Sequence, residues 1–497
     1  MYYRLEINAM NISMKNVVRL IGVVIFITGL CIIPSLLTAF IYHEKSSAVC
    51  FGLTMAGCMI PGFLIMKILP AESFKMRQRD SYLYVTLTWF LVSFVAAIPL
   101  TASGAIPKFY DAFFETCSGF STTGSTILSS IETLPKSMLF WRSFTHWLGG
   151  MGIIVFTAAL MPNLGISGQS IAEAEAPGPT MDKLTARYSD TAKNLYLLYF
   201  GITAAETILL MFGGMNLYDS LIQTFGTVGT GGFSNYSDRI AHFSSPYIQW
   251  VIIVFMLMCG ANFNLYFGIP KHGPKALLKD SEFRLYLCVI LFTTGGITID
   301  LIARGIISNP FKSLTAAAFQ VSSIITTTGY VTKNYDLWPT FSKMMLMIVF
   351  LTGACASSTG GGPKMIRVLI ALKMIRRSIA LKIHPSRVYT IKVNGRPVER
   401  DVLTNISNFI FFYIFILFIG CMVVGLNGYD VMTTFSSVLT CLGNIGPGFN
   451  KVGPIYNFSF FAPWAKIVLS VLMIAGRLEL FTVLTLLSPK YWNVNKN

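Results

Sequence analysis

The chain has 497 residues, of which 54% are hydrophobic and only 12% charged, about half the charge of a soluble domain. That excludes a water-soluble multidomain protein, and the lack of short alternating apolar segments excludes a transmembrane β-barrel. The net charge of +16, from 38 Lys and Arg against 22 Asp and Glu, fits membrane topology better than nucleic-acid binding once its distribution is traced.

A spanning helix needs roughly 20 mostly apolar residues. Such runs are predicted at 17–41, 47–69, 81–103, 137–161, 190–213, 245–269, 284–305, 340–372, 403–426 and 460–487. The first exceeds a signal-peptide core and lacks a cleavage site, so it is expected to remain as a membrane helix. Ten runs put both termini on one side. The segments of that side carry 25 Lys or Arg against 9 opposite, so both termini are expected in the cytoplasm. Nine Cys residues show no paired or metal-binding spacing and read as reduced packing residues.

Four shorter semi-apolar stretches lie between the runs, at 109–121, 217–229, 312–326 and 429–443. They are too short to span and too apolar for ordinary loops, so re-entrant half-helices entering from outside are expected. They end alike, as FFETCSGFSTTGST (113–126), LIQTFGTVGTGGFS (221–234), AFQVSSIITTTGYV (318–331) and FSSVLTCLGNIGPGF (435–449). Aligned without gaps they place Gly124, Gly232, Gly329 and Gly446 in one column. The repeating unit is therefore helix, half-helix, glycine turn, helix. Irregular backbone at membrane depth survives only where it lines a wet path. Glycine can take φ > 0 and let neighbouring carbonyls turn inward, and four such sets can replace a cation's hydration shell.

The expected organisation is all-α and polytopic, with four pore repeats whose inward carbonyl sets form a ring. Residues 1–75 hold two extra N-terminal helices. Pore repeats occupy 76–165, 166–275, 276–380 and 402–497, with a cytoplasmic hairpin at 381–401. The hairpin is signalled by alternation flanking Asn394-Gly395, a type I′ turn sequence, with Pro397 on an edge strand. In the third repeat GACASSTGGGP (353–363) must break the helix, because glycines and Pro363 weaken it. An intramembrane gating loop just below the glycine turns is expected there. It involves Gly353, Ser357, Ser358, Thr359, Gly360, Gly361 and Gly362.

Arg477 lies inside the last apolar run, where a charge marks function by default. Two readings stand: an electrostatic brake facing the pore, or half of a buried pair with Glu479 or Glu206. His146 reads as a packed or hydrogen-bonded histidine ahead of a proton site, and Glu206 as a partner for a base or a residue facing a wet crevice. No nucleotide-binding motif appears, and the sparse, loop-borne charge excludes a membrane enzyme. A proton-coupled carrier is disfavoured against a pore, because the repeats share one orientation and carry their turns near the outer face.

The glycine-turn segments resemble the filters of the Trk/Ktr/HKT superfamily of potassium uptake proteins. HWLGGMGIIVF (146–156), PGPTMDKLTARYSDTAK (177–193), CASSTGGGPKMIRVL (355–369) and AGRLELFTVL (475–484) extend the resemblance over almost the whole chain, to the membrane subunit of the bacterial Trk system. The same segments distinguish it from the potassium-binding subunit of a P-type pump. The resemblance implies potassium ligation by Thr122, Thr123 and Gly124, by Thr230, Gly231 and Gly232, by Thr327, Thr328 and Gly329, and by Asn444, Ile445 and Gly446. It also implies a pseudo-fourfold pore with one filter per repeat, a pore-side role for Arg477, a cytosolic nucleotide-binding regulatory subunit, a homodimer and residence in the bacterial inner membrane. Potassium is then the transported ion; no cofactor and no nucleic acid are expected.

Overall fold

The structure, a computed structural model, describes residues 14–69, 78–152 and 188–492. The long apolar runs become helices α1 (Met14–Cys31), α2 (Ile33–Ile41), α3 (Lys45–Ile68) and α4 (Gln78–Ala102). The first short element follows as α5 (Phe109–Phe120), then α6 (Lys136–Gly150). The second unit is α7 (Tyr188–Phe212), α8 (Leu217–Val228) and α9 (Pro246–Gly260). The third is α10 (Ser281–Ala303), α11 (Pro310–Ile325), α12 (Thr340–Phe350) and α13 (Met365–Ile383). The last is α14 (Arg400–Gly425), α15 (Val431–Gly443), α16 (Pro463–Arg477) and α17 (Phe481–Leu487). The nine Cys form no disulfide among the described residues.

Among the described residues, six helices are long and apolar enough to cross a membrane, and the bent pair α16–α17 counted as one span makes a seventh. The run at 245–269 stops at Gly260, because Ala261 and Asn262 turn extended and the Asn262 side chain caps a new one-turn helix. The run at 340–372 breaks after Phe350. The last run bends by 119° where Glu479 and Leu480 take positive φ. The second half of the 137–161 run and the connector through PGPTMDKLTAR lie outside the described residues.

Three of the four short helices start on a side-chain cap. Asn216, Asn309 and Asp430 each accept from the backbone N–H three residues on. The packing then closes a ring. α6 lies on α8, α9 on α11, α12 on α15, and α16 on α5. Each unit's outgoing helix thus covers the next unit's short helix, and the fourth returns to the first. Lys466 of α16 pairs with Asp111 in the first turn of α5 at 2.6 Å, across the closing joint.

The hairpin is smaller than the 381–401 expected, since α13 runs to Ile383. It comprises β1 (Lys392–Val393) and β2 (Arg396–Pro397), paired antiparallel. Asn394 and Gly395 both take φ > 0, as a type I′ turn demands. Ile391, Val393 and Val398 pack against Ile366 and Ile370 of α13 and Leu403 and Ile406 of α14. The turn docks on the start of α10, where Asn394 accepts from Ser281 N at 2.8 Å and donates to Asp280 at 2.6 Å.

Candidate functional site

Each short helix ends on the same backbone device. Thr123 N donates to Ser118 O, Gly231 N to Gly226 O, Thr328 N to Ser323 O and Ile445 N to Thr440 O. This is the six-to-one bond of a Schellman cap. The residue before each donor sits in the left-handed region: Thr122 (φ 55°), Thr230 (53°), Thr327 (58°) and Asn444 (54°). A β-branched residue there is a genuine outlier and costs on the order of 1–3 kcal/mol. Sequence reasoning expected glycine to carry the unusual backbone and missed these threonines, although TT before G in two copies was a signal.

The glycines take positive φ as well, from 75° at Gly232 to 97° at Gly446. What lies beside them fixes the geometry. A Cβ on Gly124 would stand 2.1 Å from Gly231 O, one on Gly232 2.0 Å from Thr328 O, one on Gly329 2.3 Å from Ile445 O, and one on Gly446 2.7 Å from Thr123 O. The contacts run from first to second to third to fourth and back to the first. The carbonyls of Thr123, Gly231, Thr328 and Ile445 therefore form one layer around a common axis. A Cβ on Gly124 would also reach 3.7 Å from Thr328 O of the facing unit, so it would project into the lumen.

A second column supports the ring from behind. Nine residues before each glycine stand Glu115, Gln223, Gln320 and Ser437. Glu115 accepts from Thr126 Oγ1 and Ile127 N, both at 2.9 Å. Gln223 donates to Ser234 and Asn235 at 3.0 and 2.9 Å, and Gln320 to Thr332 at 3.3 Å. In the fourth unit Ser436, one residue earlier, exchanges hydrogen bonds with Phe449 N and O, both at 3.1 Å. Every short helix thus holds its own outgoing segment. Arg142 of α6 pairs with Glu115 at 2.5 Å, donates to Ser234 O at 3.0 Å and stacks on Phe233 at 3.5 Å, which joins the first unit to the second.

The outer rim is joined at every boundary. Ser237 donates twice to Glu132, at 2.6 and 2.5 Å; burial opposes the carboxylate's charge, but the Ser237 donors outweigh it and its pKa falls below the usual value. Arg239 donates to Gly329 O at 3.3 Å, Asn450 N to Asp336 at 3.0 Å, and Phe458 N to Thr126 O at 2.8 Å.

Beneath the ring runs the glycine-rich segment between α12 and α13. Gly361 N donates to Thr327 Oγ1 at 2.6 Å. A Cβ on Gly360 would stand 2.8 Å from Thr326 O, and one on Gly361 2.9 Å from Gly443 O. The segment therefore touches the third and fourth glycine turns on their inner side. Gly353, Gly362, Ser357 and Lys364 all take positive φ. Ser358 caps Cys355 O at 2.6 Å. The segment also leans on the broken end of α9, through Cys355 N to Gly260 O at 2.9 Å and Thr359 Oγ1 to Cys259 O at 3.1 Å. Glu282 of α10 accepts from Ala356 N at 2.7 Å.

Arg477 reaches backbone oxygens of two other elements. Its guanidinium donates to Thr359 O at 2.8 Å and to Gly149 O and Gly150 O, both at 2.7 Å. Glu479 pairs with Arg367 of α13, which stacks on Phe409. Arg477 therefore ties the segment under the ring to the inner end of α6.

A TrkH family profile, described as a cation transport protein, matches residues 55–494. The Trk system potassium uptake protein TrkH of Escherichia coli K12 is 35% identical over 483 residues, covering 96% of this chain and 99% of that one. The chain belongs to the TrkH family. The Trk system potassium uptake protein TrkG of Escherichia coli K12 is 32% identical, with 97% and 100% covered. The crystal structure of the potassium transporter TrkH from Vibrio parahaemolyticus superposes with a TM-score of 0.87 at 32% identity, over 97% of this chain and all of that one.

Within this TrkH-family chain the remaining candidates fall into place. His146 is buried; its Nδ1 lies 2.7 Å from Gly119 O and its ring packs on Phe233 at 4.0 Å. Its ring occupies the volume a Cβ on Gly231 would need, so it packs the back of the ring as the plainer reading held. Glu206 is fully buried in α7 and pairs with no base among the described residues. No cluster of metal-ligating side chains occurs among the described residues.

Proposed function

We propose that this multi-pass membrane protein takes up potassium through the central ring. Its TrkH-family relatives are potassium transporters and not enzymes. The observation that carries the reading is the cyclic set of glycine-to-carbonyl contacts, Gly124 to Gly231, Gly232 to Thr328, Gly329 to Ile445 and Gly446 to Thr123. Oxygens held at fixed places around one axis replace water about a dehydrated cation. The ion ligands are carried by Thr122, Thr123 and Gly124 and by their counterparts Thr230, Gly231 and Gly232; Thr327, Thr328 and Gly329; and Asn444, Ile445 and Gly446. The four units divide the chain near 76–165, 166–275, 276–380 and 402–497, after two added helices. Half-helix C-termini aimed at the axis add a negative end favourable to a cation.

The segment 353–363 is the gate. It lies across the inner face of the ring, held by Thr327, Glu282, the end of α9 and Arg477. The basic stretch beyond Lys364 and the hairpin form the dock for a cytosolic nucleotide-binding regulatory subunit. The chain works as a homodimer in the bacterial inner membrane with both termini inside. A link from dock to gate runs through contiguous hydrogen bonds: Asn394 to Asp280 and Ser281, then Glu282 to Ala356. The test is growth rescue of a potassium-uptake-deficient bacterium on micromolar potassium, with rubidium and sodium as competitors. Rescue that rubidium competes and sodium does not supports the reading; no rescue despite membrane insertion counts against it.

A further inference from the structure

Arg239 is a charge without an evident place in a cation path. It opens the short turn Arg239–His242 just beyond the second glycine turn. It is only 9% exposed and holds a left-handed backbone, φ 54°. Its Nη1 donates to Gly329 O at 3.3 Å, the carbonyl of the third ring glycine. No carboxylate lies within ion-pair reach of it among the described residues. The neighbouring acids are engaged elsewhere: Glu115 with Arg142 and Asp336 with Asn450.

The outermost carbonyl layer is uneven for a second reason. Gly446 O accepts from Ser125 Oγ at 3.1 Å. Gly124 O and Gly232 O accept no hydrogen bond among the described residues. Two of the four outer carbonyls are thus engaged, one of them by a full positive charge. The other three rim joints, at Glu132, Asp336 and Phe458, use neutral donors, so joining the units does not require a cation.

We propose that Arg239 sets cation affinity and valence selectivity at the outer mouth, by withdrawing Gly329 O from the permeating ion and holding a fixed positive charge beside the outermost site. The inference rests on the reading of the ring as a potassium filter. A cation bound on the far side of Gly329 O lies on the order of 6 Å from the guanidinium, where repulsion at a surface-like dielectric lowers monovalent occupancy roughly tenfold or more. A divalent ion feels twice that energy, hence the square of the factor. The outermost site is therefore weak for potassium, which keeps ions moving, and nearly closed to divalent cations.

The experiment compares Arg239→Gln, Arg239→Lys and Arg239→Met with the parent in the full-length protein, reconstituted in liposomes. Potassium uptake is titrated from outside, alone and with barium as the divalent probe, and Gly124→Ser is run in parallel. Arg239→Gln should lower the half-saturating potassium concentration roughly tenfold and strengthen barium block by a larger factor; Arg239→Lys should stay near the parent. Arg239→Met is read in the same way should Arg239→Gln not accumulate. Equal shifts for Lys and Gln, or flat titrations throughout, overturn the inference. So does accumulation of the Lys variant alone, because the charge is then structural. A flat Arg239 series beside a selectivity loss in Gly124→Ser overturns the mouth assignment only. An unchanged Gly124→Ser overturns the filter reading beneath it.

Discussion

Gly124→Ser perturbs the ring where its geometry is tightest. The new Cβ would stand 2.1 Å from Gly231 O, whereas real Cβ atoms essentially never come within 3.0 Å of such an atom. The clash is with backbone, and Gly231 cannot retreat freely because the His146 ring fills the space behind it. A serine at φ 79° adds left-handed strain of about 1–2 kcal/mol. The carbonyl must therefore turn or move by roughly 1 Å to restore ordinary contact distance. On the proposed reading one of four ion ligands in the layer is then misplaced, and the potassium-specific gain falls with it. At 1.4 kcal/mol per factor of ten, a loss of this size lowers the potassium-to-sodium permeability ratio roughly tenfold. The assay is the reversal potential under mixed potassium and sodium gradients in a planar bilayer, with membrane insertion checked in parallel. A well-inserted Gly124→Ser protein with an unchanged ratio refutes the reasoning.

Arg477→Ala removes three charge-assisted bonds joining the segment under the ring to α6, each about 1.5–3 kcal/mol. Partner-free rubidium flux in liposomes should rise, and lowered expression with unchanged flux per molecule would show a purely structural role. Glu282→Ala takes away the acceptor of Ala356 N and should raise partner-free flux more modestly; a parental flux level in the same assay counts against the link from hairpin to gate. Glu115→Leu strands the buried Arg142 and should cost about 3–5 kcal/mol, read as a lower melting temperature in detergent. Glu115→Leu with Arg142→Met should recover part of that loss, and a double variant as unstable as the single one contradicts a pairwise term.

The parts legible in the sequence were local. The half-helices are set by their own apolar length and caps, the hairpin by Asn394-Gly395, and the break in the third unit by clustered glycines and Pro363. The glycine column was legible because one backbone requirement is met four times at a fixed offset. Partnerships across the fold were not. Arg367 finds Glu479 across 112 residues, and Arg239 finds Gly329 across 90; no periodicity encodes such pairs. Arg477 stands out in the sequence as a charge inside an apolar run, but its carbonyl acceptors are backbone atoms and leave no sequence mark. The early end of α9 was hidden too, since FNLYF continues an apolar run while Asn262 caps a turn.

On the proposed reading potassium passes passively and selectively through one ring, closed from below by residues 353–363. The most direct measurement is single-channel recording of the purified protein lacking Ala354 to Gly361, in a planar bilayer without any partner and under a potassium gradient. Discrete steps that reverse at the potassium equilibrium potential are predicted. A correctly inserted deletion protein that stays silent, or that moves potassium without resolvable steps, would contradict the account.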